Sequence, residues 1–282
     1  VTRDPAAQAA GNIDTSRVGW PTPADLEAVP DPAEQLRREL MWAIENRIDY
    51  APRSLQTRLG PSELGHPCAR KLGYKLAGVE ISNPGDPAWY PTIGTAVHGW
   101  LEEVMRWLNG HLGTLAEGGP RFLLEHKVSV GEICGEHITG TCDVYDRVTG
   151  IVVDWKVVGE KQLKKYKDEG PGDQYRAQAH LYGRGWQRRG MPVTKVAVMF
   201  LPRDRMLHAA HMWSEPYDEQ IAVQALTRAE GITTMVRGIG KAALPMLPTA
   251  DAYCTFCDYF LPGSTELEEA CPGHPGATGY LK

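Results

Sequence analysis

Residues 140–156 read GTCDVYDRVTGIVVDWK: two strand-like apolar runs on either side of a turn marked by Thr149 and Gly150. Both runs carry acids. A half-buried strand normally keeps charge off its inner face, because an unpaired buried charge is expensive. Strand side chains alternate between faces, so Asp154 and Lys156 point one way and Trp155 the other. Antiparallel pairing of the two runs would set Asp143 beside Asp154. Two carboxylates at close range repel, and a hard cation such as Mg²⁺ or Mn²⁺ relieves the repulsion with oxygen ligands. Such a cation lowers the pKa of its water, and a neighbouring lysine would orient that water or offset charge on a phosphoryl group. The same spacing also fits a solvated hairpin face carrying two acids and a lysine.

Outward from this stretch the pattern is mixed. Upstream, RFLLEHKVSV (121–130) reads as another strand, with Glu125 as a further acid that would join the site. Downstream, GDQYRAQAHLYGRGWQRRG (172–190) has helical character, and TKVAVMFLPRD and MLHAAHMWSE give two more strands. A long helix is expected over 218–239. Before the first strand, PTIGTAVHGWLEEVMRWL is a strong helix with Val97, Leu101, Val104 and Leu108 on one stripe and His98 in its first half. PSELGHPCARKLGYKLAG (61–78) reads as a short helix holding Cys68. DPAEQLRRELMWAIENRI reads as an amphipathic helix with Asp31 as N-cap and Pro32 in its first turn. Helices, a β-meander, a helix and two strands predict an α/β fold with a mixed central sheet flanked by helices, not a doubly wound parallel one. Residues 1–30 read as an extended or poorly ordered arm and 31–282 as a single domain.

The bulk numbers set limits. The chain has 282 residues, 42% of them hydrophobic, enough for one large domain. A net charge of -5 gives no global signature of polyanion binding, so any nucleic-acid contact has to come from a local basic patch. The N-terminal stretch lacks a basic segment followed by an apolar core, and no apolar run reaches membrane-spanning length. A soluble, cytoplasmic protein without a membrane partner is expected. A phosphate loop of the G-x-x-x-x-G-K-[ST] kind, H-E-x-x-H and G-x-S-x-G are all absent, which removes an in-chain ATPase motor and the simplest protease and esterase chemistries.

Taken in order, His98 in GTAVHGWLEE, Asp143 in GTCD, Asp154 and Lys156 in VDWK, and Gln178 and Tyr182 in QAHLY resemble the PD-(D/E)XK nuclease superfamily, and within it the RecB-like exonucleases. The elements span roughly residues 94–182, each on the expected helix or strand. The resemblance implies a Mg²⁺- or Mn²⁺-dependent DNA exonuclease. Asp143, Asp154 and the backbone carbonyl of Trp155 would hold the metal, with His98 as an additional ligand and Lys156 as the catalytic lysine. Gln178 and Tyr182, four apart on one helix face, would reach Lys156 or the scissile phosphate. DNA, single-stranded or with duplex ends, is the implied partner. Relatives of this kind work in bacterial recombination, CRISPR adaptation and phage replication, which allows a protein partner and a bacterial or phage-infected cytoplasm.

Four of the six cysteines form a second constellation. Cys254 and Cys257 make C-x-x-C, Cys271 follows, and Cys68 stands far upstream. In a reducing compartment such a set points to a metal rather than to disulfides. A subset of RecB-like nucleases ties the ends of the domain together with a [4Fe–4S] cluster on one upstream and three downstream cysteines. That implies Cys68, Cys254, Cys257 and Cys271 as ligands, with 61–78 and 251–274 forming the cluster element. Four thiolates equally suit tetrahedral Zn²⁺, and His66 or His274 would be able to replace one of them. The gap between Cys257 and Cys271 is longer than that family's usual one. Cys134 and Cys142 are expected in core packing.

Lys161, Lys164, Lys165 and Lys167 follow the D-x-K strand closely and would offset repulsion between phosphates and the acidic site. Arg70, beside Cys68, is a further candidate for gripping a strand; Arg203 and Arg205 are weaker ones. Tyr166 and Trp155 are candidates for base stacking. Two rivals stay open: a structure-specific or restriction-type endonuclease on the same fold, and a catalytically silent DNA-binding module stapled by zinc.

Overall fold

The structure is a computed structural model and describes residues 31–49, 58–85 and 88–276; the expected arm, 1–30, lies outside them. By compactness the chain divides into Val1–Leu55 and Gln56–Lys282. In the first unit, helix α1 (Pro32–Asp49) starts as expected. The carboxylate of Asp31 accepts the Ala33 N–H at 3.0 Å, and Glu34 in the first turn pairs with Arg37.

The second unit is built on a five-stranded mixed sheet in the order β1-β2-β3-β4-β5. β1 (Phe122–Ile133), β2 (Glu136–Asp146) and β3 (Ile151–Val158) form an antiparallel meander. β4 (Lys195–Pro202) lies parallel to β3, and β5 (His211–Pro216) antiparallel to β4. The last strand begins later than its sequence suggests, because Leu207–Ala209 forms a 3₁₀ turn. Helices flank the sheet: α2 (Pro61–Leu64), α3 (Ala69–Leu76), α4 (Trp89–Leu112), α5 (Glu160–Glu169), α6 (Gly172–Gln187) and α7 (Glu219–Ile239).

The hairpin between β2 and β3 fixes everything that follows. Asp146 is buried, and its carboxylate gathers the turn. It accepts from Arg121 Nε and Nη2 at 2.9 and 2.8 Å, from the Val148 N–H at 3.0 Å and from the Thr149 hydroxyl at 2.7 Å. Burial would push this carboxyl up, but these bonds and the Arg121 charge hold it below its ordinary value. Gly150 closes the turn with φ of 69°, a left-handed conformation that favours glycine.

α6 lies across the sheet at close range. A Cβ at Gly185 would sit 2.6 Å from Val128 Cγ2, so only glycine allows the approach. Behind it Trp186 stacks on Tyr145 at 4.6 Å between ring centroids, both fully buried. Cys142 is fully buried in this core, as its position on β2 implies, and Cys134 lies at its edge beside Thr234 of α7.

Two elements depart from their sequence expectation. The segment 61–78 is two helices, not one. Gly65 caps α2, Pro67 lacks the N–H a continuous helix needs, and Cys68 becomes the N-cap of α3. The lysine-rich stretch after β3, expected as a charged segment, is the helix α5, held by buried Leu163 and by Tyr166 one turn later. Among the described residues no helix is long and apolar enough to cross a membrane.

Candidate metal and active centre

β2 and β3 pair at Asp146↔Ile151, Tyr145↔Val152 and Val144↔Val153, and the ladder ends there. The next residues in register are Asp143 and Asp154. Where the strands part, Asp143 turns its carboxylate toward the freed backbone, and Oδ2 accepts the Trp155 N–H at 2.7 Å. In a strand the N–H and C=O of one residue point to the same side, so the Trp155 carbonyl also faces Asp143.

Asp154 is buried, with its carboxylate held on both sides. Gln178 Nε2 of α6 donates to Oδ1 at 2.9 Å, and Lys156 Nζ stands 2.5 Å from Oδ2, outside hydrogen-bond geometry but in ion-pair contact. Lys156 also lies over the ring of Tyr175, 5.1 Å from its centroid. Tyr175 was not singled out from sequence, although it sits one turn before Gln178 on the same helix. Burial pushes the Asp154 carboxyl up to about 6, with Lys156 opposing and Asp143 adding to the rise.

His98 reaches in from α4, its Nδ1 3.4 Å from Asp143 Oδ1. Burial alone would lower its pKa, but the bond to Asp143 and the charges of Asp143 and Asp154 raise it. Val97, Leu101, Val104 and Leu108 are only half-buried, and no residue of α4 is fully buried. The helix rests on β1 and β3 rather than in the core.

Glu125 completes the group. Ligand atoms of His98, Glu125 and Asp143 all lie within 4.8 Å of one another. Burial, with Asp143 and Glu102 nearby, pushes the Glu125 carboxyl up to about 7. The chemistry of this set, an imidazole and carboxylates with one lysine, suits a divalent cation. Tyr182 is buried, and a Cβ on Gly140 of β2 would lie 3.1 Å from its ring and 2.7 Å from Pro61. Burial and the Asp154 charge raise its hydroxyl pKa. The glycine of GTCD thus makes room for the tyrosine of QAHLY.

The α5 lysines 161, 164, 165 and 167 are exposed, and Lys165 lies over the ring of Tyr253 at 5.7 Å. Arg203 stacks on Tyr90 at 3.7 Å, while Arg205 is paired with Glu160. Tyr166 stacks on Phe200 inside the fold, and Trp155 is half-buried. Arg70 has other work: its guanidinium donates to the carbonyls of Leu247 and Pro245, both at 3.1 Å.

Those bonds belong to a second constellation. Cys68, Cys254, Cys257 and Cys271 line one pocket, together with His66, Lys71, Tyr74 and His274. Segments distant in sequence are latched around it. Tyr74 donates to the Leu267 carbonyl at 2.6 Å, Asn83 Nδ2 to Thr255 and Cys257, and Arg228 to His66 and Pro67. Burial pushes the Cys257 thiol up to about 11 and the His66 imidazole down to about 4. The His274 N–H donates to Cys254 Sγ at 3.4 Å. Tetrahedral zinc at about 2.3 Å from each sulfur would bring the thiols to about 3.8 Å of one another. Among the described residues no three cysteine sulfurs lie within 4.8 Å. The four thiols line one pocket without forming a group of three at that spacing.

No protein-family model matches the chain, and no curated protein does. Among solved structures it is similar to that of SSO0001, at 19% identity over 79% of this chain and 93% of that one, with a TM-score of 0.45. It is also similar to an alkaline exonuclease from Laribacter hongkongensis, at 9% identity over 67% and 93%, TM-score 0.44. A phage-related exonuclease from Haemophilus somnus 129PT follows at 14% identity over 64% and 95%, TM-score 0.39.

Proposed function

We propose that the chain is a metal-dependent deoxyribonuclease, acting as an exonuclease of RecB-like type at the point where β2 and β3 part. One observation carries this: Asp143, Asp154, Lys156, Gln178 and His98, which are spread over 81 positions of sequence, meet in direct contacts at that point. His98, Asp143, Asp154 and the Trp155 carbonyl would hold Mg²⁺ or Mn²⁺, which when bound supplies an acidified water and positive charge for the phosphate. Gln178 aims Asp154 by donating to one of its oxygens. Lys156, seated between Asp154 and the Tyr175 ring, brings a fixed cation to the place where a phosphoryl group gathers negative charge. Tyr182 fills the space over Gly140 and so holds α6 against β2. The exposed lysines of α5, at the end of the same strand, would meet the DNA backbone. Arg70 is left out of that surface because two carbonyls hold it.

The cysteine element supports a [4Fe–4S] cluster on Cys68, Cys254, Cys257 and Cys271, remote from the reaction and structural in role. The spread of the thiols favours it over Zn²⁺.

The test uses end-labelled single- and double-stranded DNA with Mn²⁺ or Mg²⁺, on wild type and Lys156→Ala. Metal-dependent loss of nucleotides from an end is expected. In Lys156→Ala it should fall by about 10³-fold or more, as for other lost transition-state charges, with the circular dichroism spectrum unchanged. Cutting of closed circles would make the protein an endonuclease. DNA binding without cleavage under either metal would make it a binding module.

A further inference from the structure

We propose that Tyr253 and Phe256, carried on the cysteine element, form a stacking site for the bases of single-stranded DNA held at the carboxylate centre. This rests on the nuclease function proposed above and deepens it by naming a single strand as the substrate.

Both rings stand in solvent. Tyr253 is 62% and Phe256 77% exposed, and no large apolar side chain among the described residues is more exposed than Phe256. One short turn joins them, closed by the Phe256 N–H donating to the Tyr253 carbonyl at 2.9 Å. That turn is tied down from behind. Cys254 lines the thiol pocket, and Asn83 Nδ2 donates to the carbonyls of Thr255 and Cys257 at 3.1 and 2.9 Å. Tyr253 has φ of 56°, in the left-handed region, which a bulky residue rarely adopts. Aromatic side chains on a fixed turn lose little freedom when another ring stacks on them.

The charge beside the rings is positive. Lys165 of α5 lies over the Tyr253 ring, 5.7 Å from its centroid. Among the described residues no carboxylate pairs with Lys161, Lys164, Lys165 or Lys167. Unpaired ammonium groups next to exposed rings match a chain that offers phosphates and open bases together. A duplex keeps its bases stacked inside and offers only the phosphates.

The rings are also continuous with the centre. Lys156 lies over Tyr175 at 5.1 Å, and the Tyr175 and Tyr166 rings are 5.8 Å apart. Burial, Tyr175 and Tyr253 together raise the Tyr166 hydroxyl pKa. A row of neighbours therefore runs from the lysine of β3 through α6 and α5 to the cysteine element. Trp100 and Trp107 of α4, 60% and 69% exposed, have no such connection. They stand two and nine positions after His98, on the side of the helix opposite the one that enters the centre.

The experiment reads fluorescence anisotropy of labelled DNA with the full chain in EDTA, which prevents metal-dependent cleavage. The probes are a thymidine single strand, an abasic single strand and a blunt duplex, all of one length. Tyr253→Ala with Phe256→Ala should weaken binding of the thymidine strand about tenfold or more, and leave the other two probes within about twofold. Trp107→Ala should bind all three as wild type does. With Mn²⁺ added, the loss should appear in KM and not in kcat, because the rings touch no reacting atom. Iron content and thermal melts check the turn, and Phe256→Ala alone, with about fivefold expected, replaces the double variant if that fails to fold. Unchanged binding of the thymidine strand would overturn the proposal. So would an equal loss on all three probes, because a base would then not be what the rings meet, and so would an equal loss in Trp107→Ala. Wild type that binds the thymidine strand through these rings but cuts no DNA would keep the stacking site and end the nuclease proposal instead. Wild type that cuts duplex ends but binds no single strand would end the stacking site and keep the nuclease.

Discussion

The carboxylate centre and the cysteine element are both candidate metal sites, built in opposite ways. In the first, three consecutive strands and two helices deliver the side chains, and ligand atoms of three of them, His98, Glu125 and Asp143, lie within 4.8 Å of one another. The scaffold under it is the sheet itself, whose register is locked by the Asp146 turn. In the second, Cys68 meets partners nearly two hundred residues away, and the connection is made mostly by side chains donating to backbone carbonyls: Arg70, Tyr74, Asn83 and Arg228. Its thiols stand apart around a pocket. Crowded like charges mark a place where a bound ion changes chemistry. Spread thiols joining distant segments mark a place where a bound group changes stability.

Three perturbations bear on that contrast. Cys254→Ser should destabilise the protein by about 3 kcal/mol or more and remove iron and visible absorption. The fraction that stays folded should cut DNA at the wild-type rate, as iron analysis, thermal melts and rates per folded molecule would show. A stable, metal-free variant would leave the element without a structural role. A smaller effect is expected from Gln178→Leu, which leaves a buried Asp154 oxygen without its donor, a loss of roughly 1–3 kcal/mol. Cleavage should fall about tenfold to a hundredfold while iron content stays unchanged. If iron fell and the rate did not, the two regions would not be separable in the way described.

The smallest effect is one of pH. In the metal-free protein Glu125 holds its proton up to about 7, whereas an unfolded glutamate releases it near about 4.3. Between these values the native state binds the extra proton, so this contribution to stability falls as pH rises through the window. Asp154, raised to about 6, acts in the same direction. Metal-free Glu125→Gln and wild type should therefore melt together at about pH 4 and diverge above about pH 7. The variant should be the more stable there by only a few degrees, because Glu125 is partly open to solvent. Excess Mn²⁺ should reverse the order. Equal melting curves at both pH values would mean that Glu125 is not crowded.

Much of the centre was legible in sequence because the relevant geometry is local. A period of two and a short turn place Asp143 opposite Asp154 and put Lys156 on the same face as Asp154, and the hairpin does the rest. Gln178 follows because it lies on the helix that crosses the sheet. Glu125 showed only as a candidate. Its placement depends on its cross-strand register with Asp143 and on one left-handed residue, and LLEHK carries no local mark of either. The carbonyl bonds of Arg70 were hidden for a related reason: a charged residue near a cysteine says nothing of carbonyls 175 positions away. The α5 helix was obscured by its charge, since Leu163 is its only buried residue.

The latch between residues 68 and 271 also orders the protein's birth. Every side chain of the carboxylate centre lies between 98 and 182, so on a ribosome all of them are made before Cys254, Cys257 and Cys271. Cys68 has its three partners only once Cys271 has been made. The closing of the earliest helices of this unit onto residues 254–271 is therefore a late step, and a nascent chain stalled before residue 254 would hold the residues of the centre in an unfinished frame.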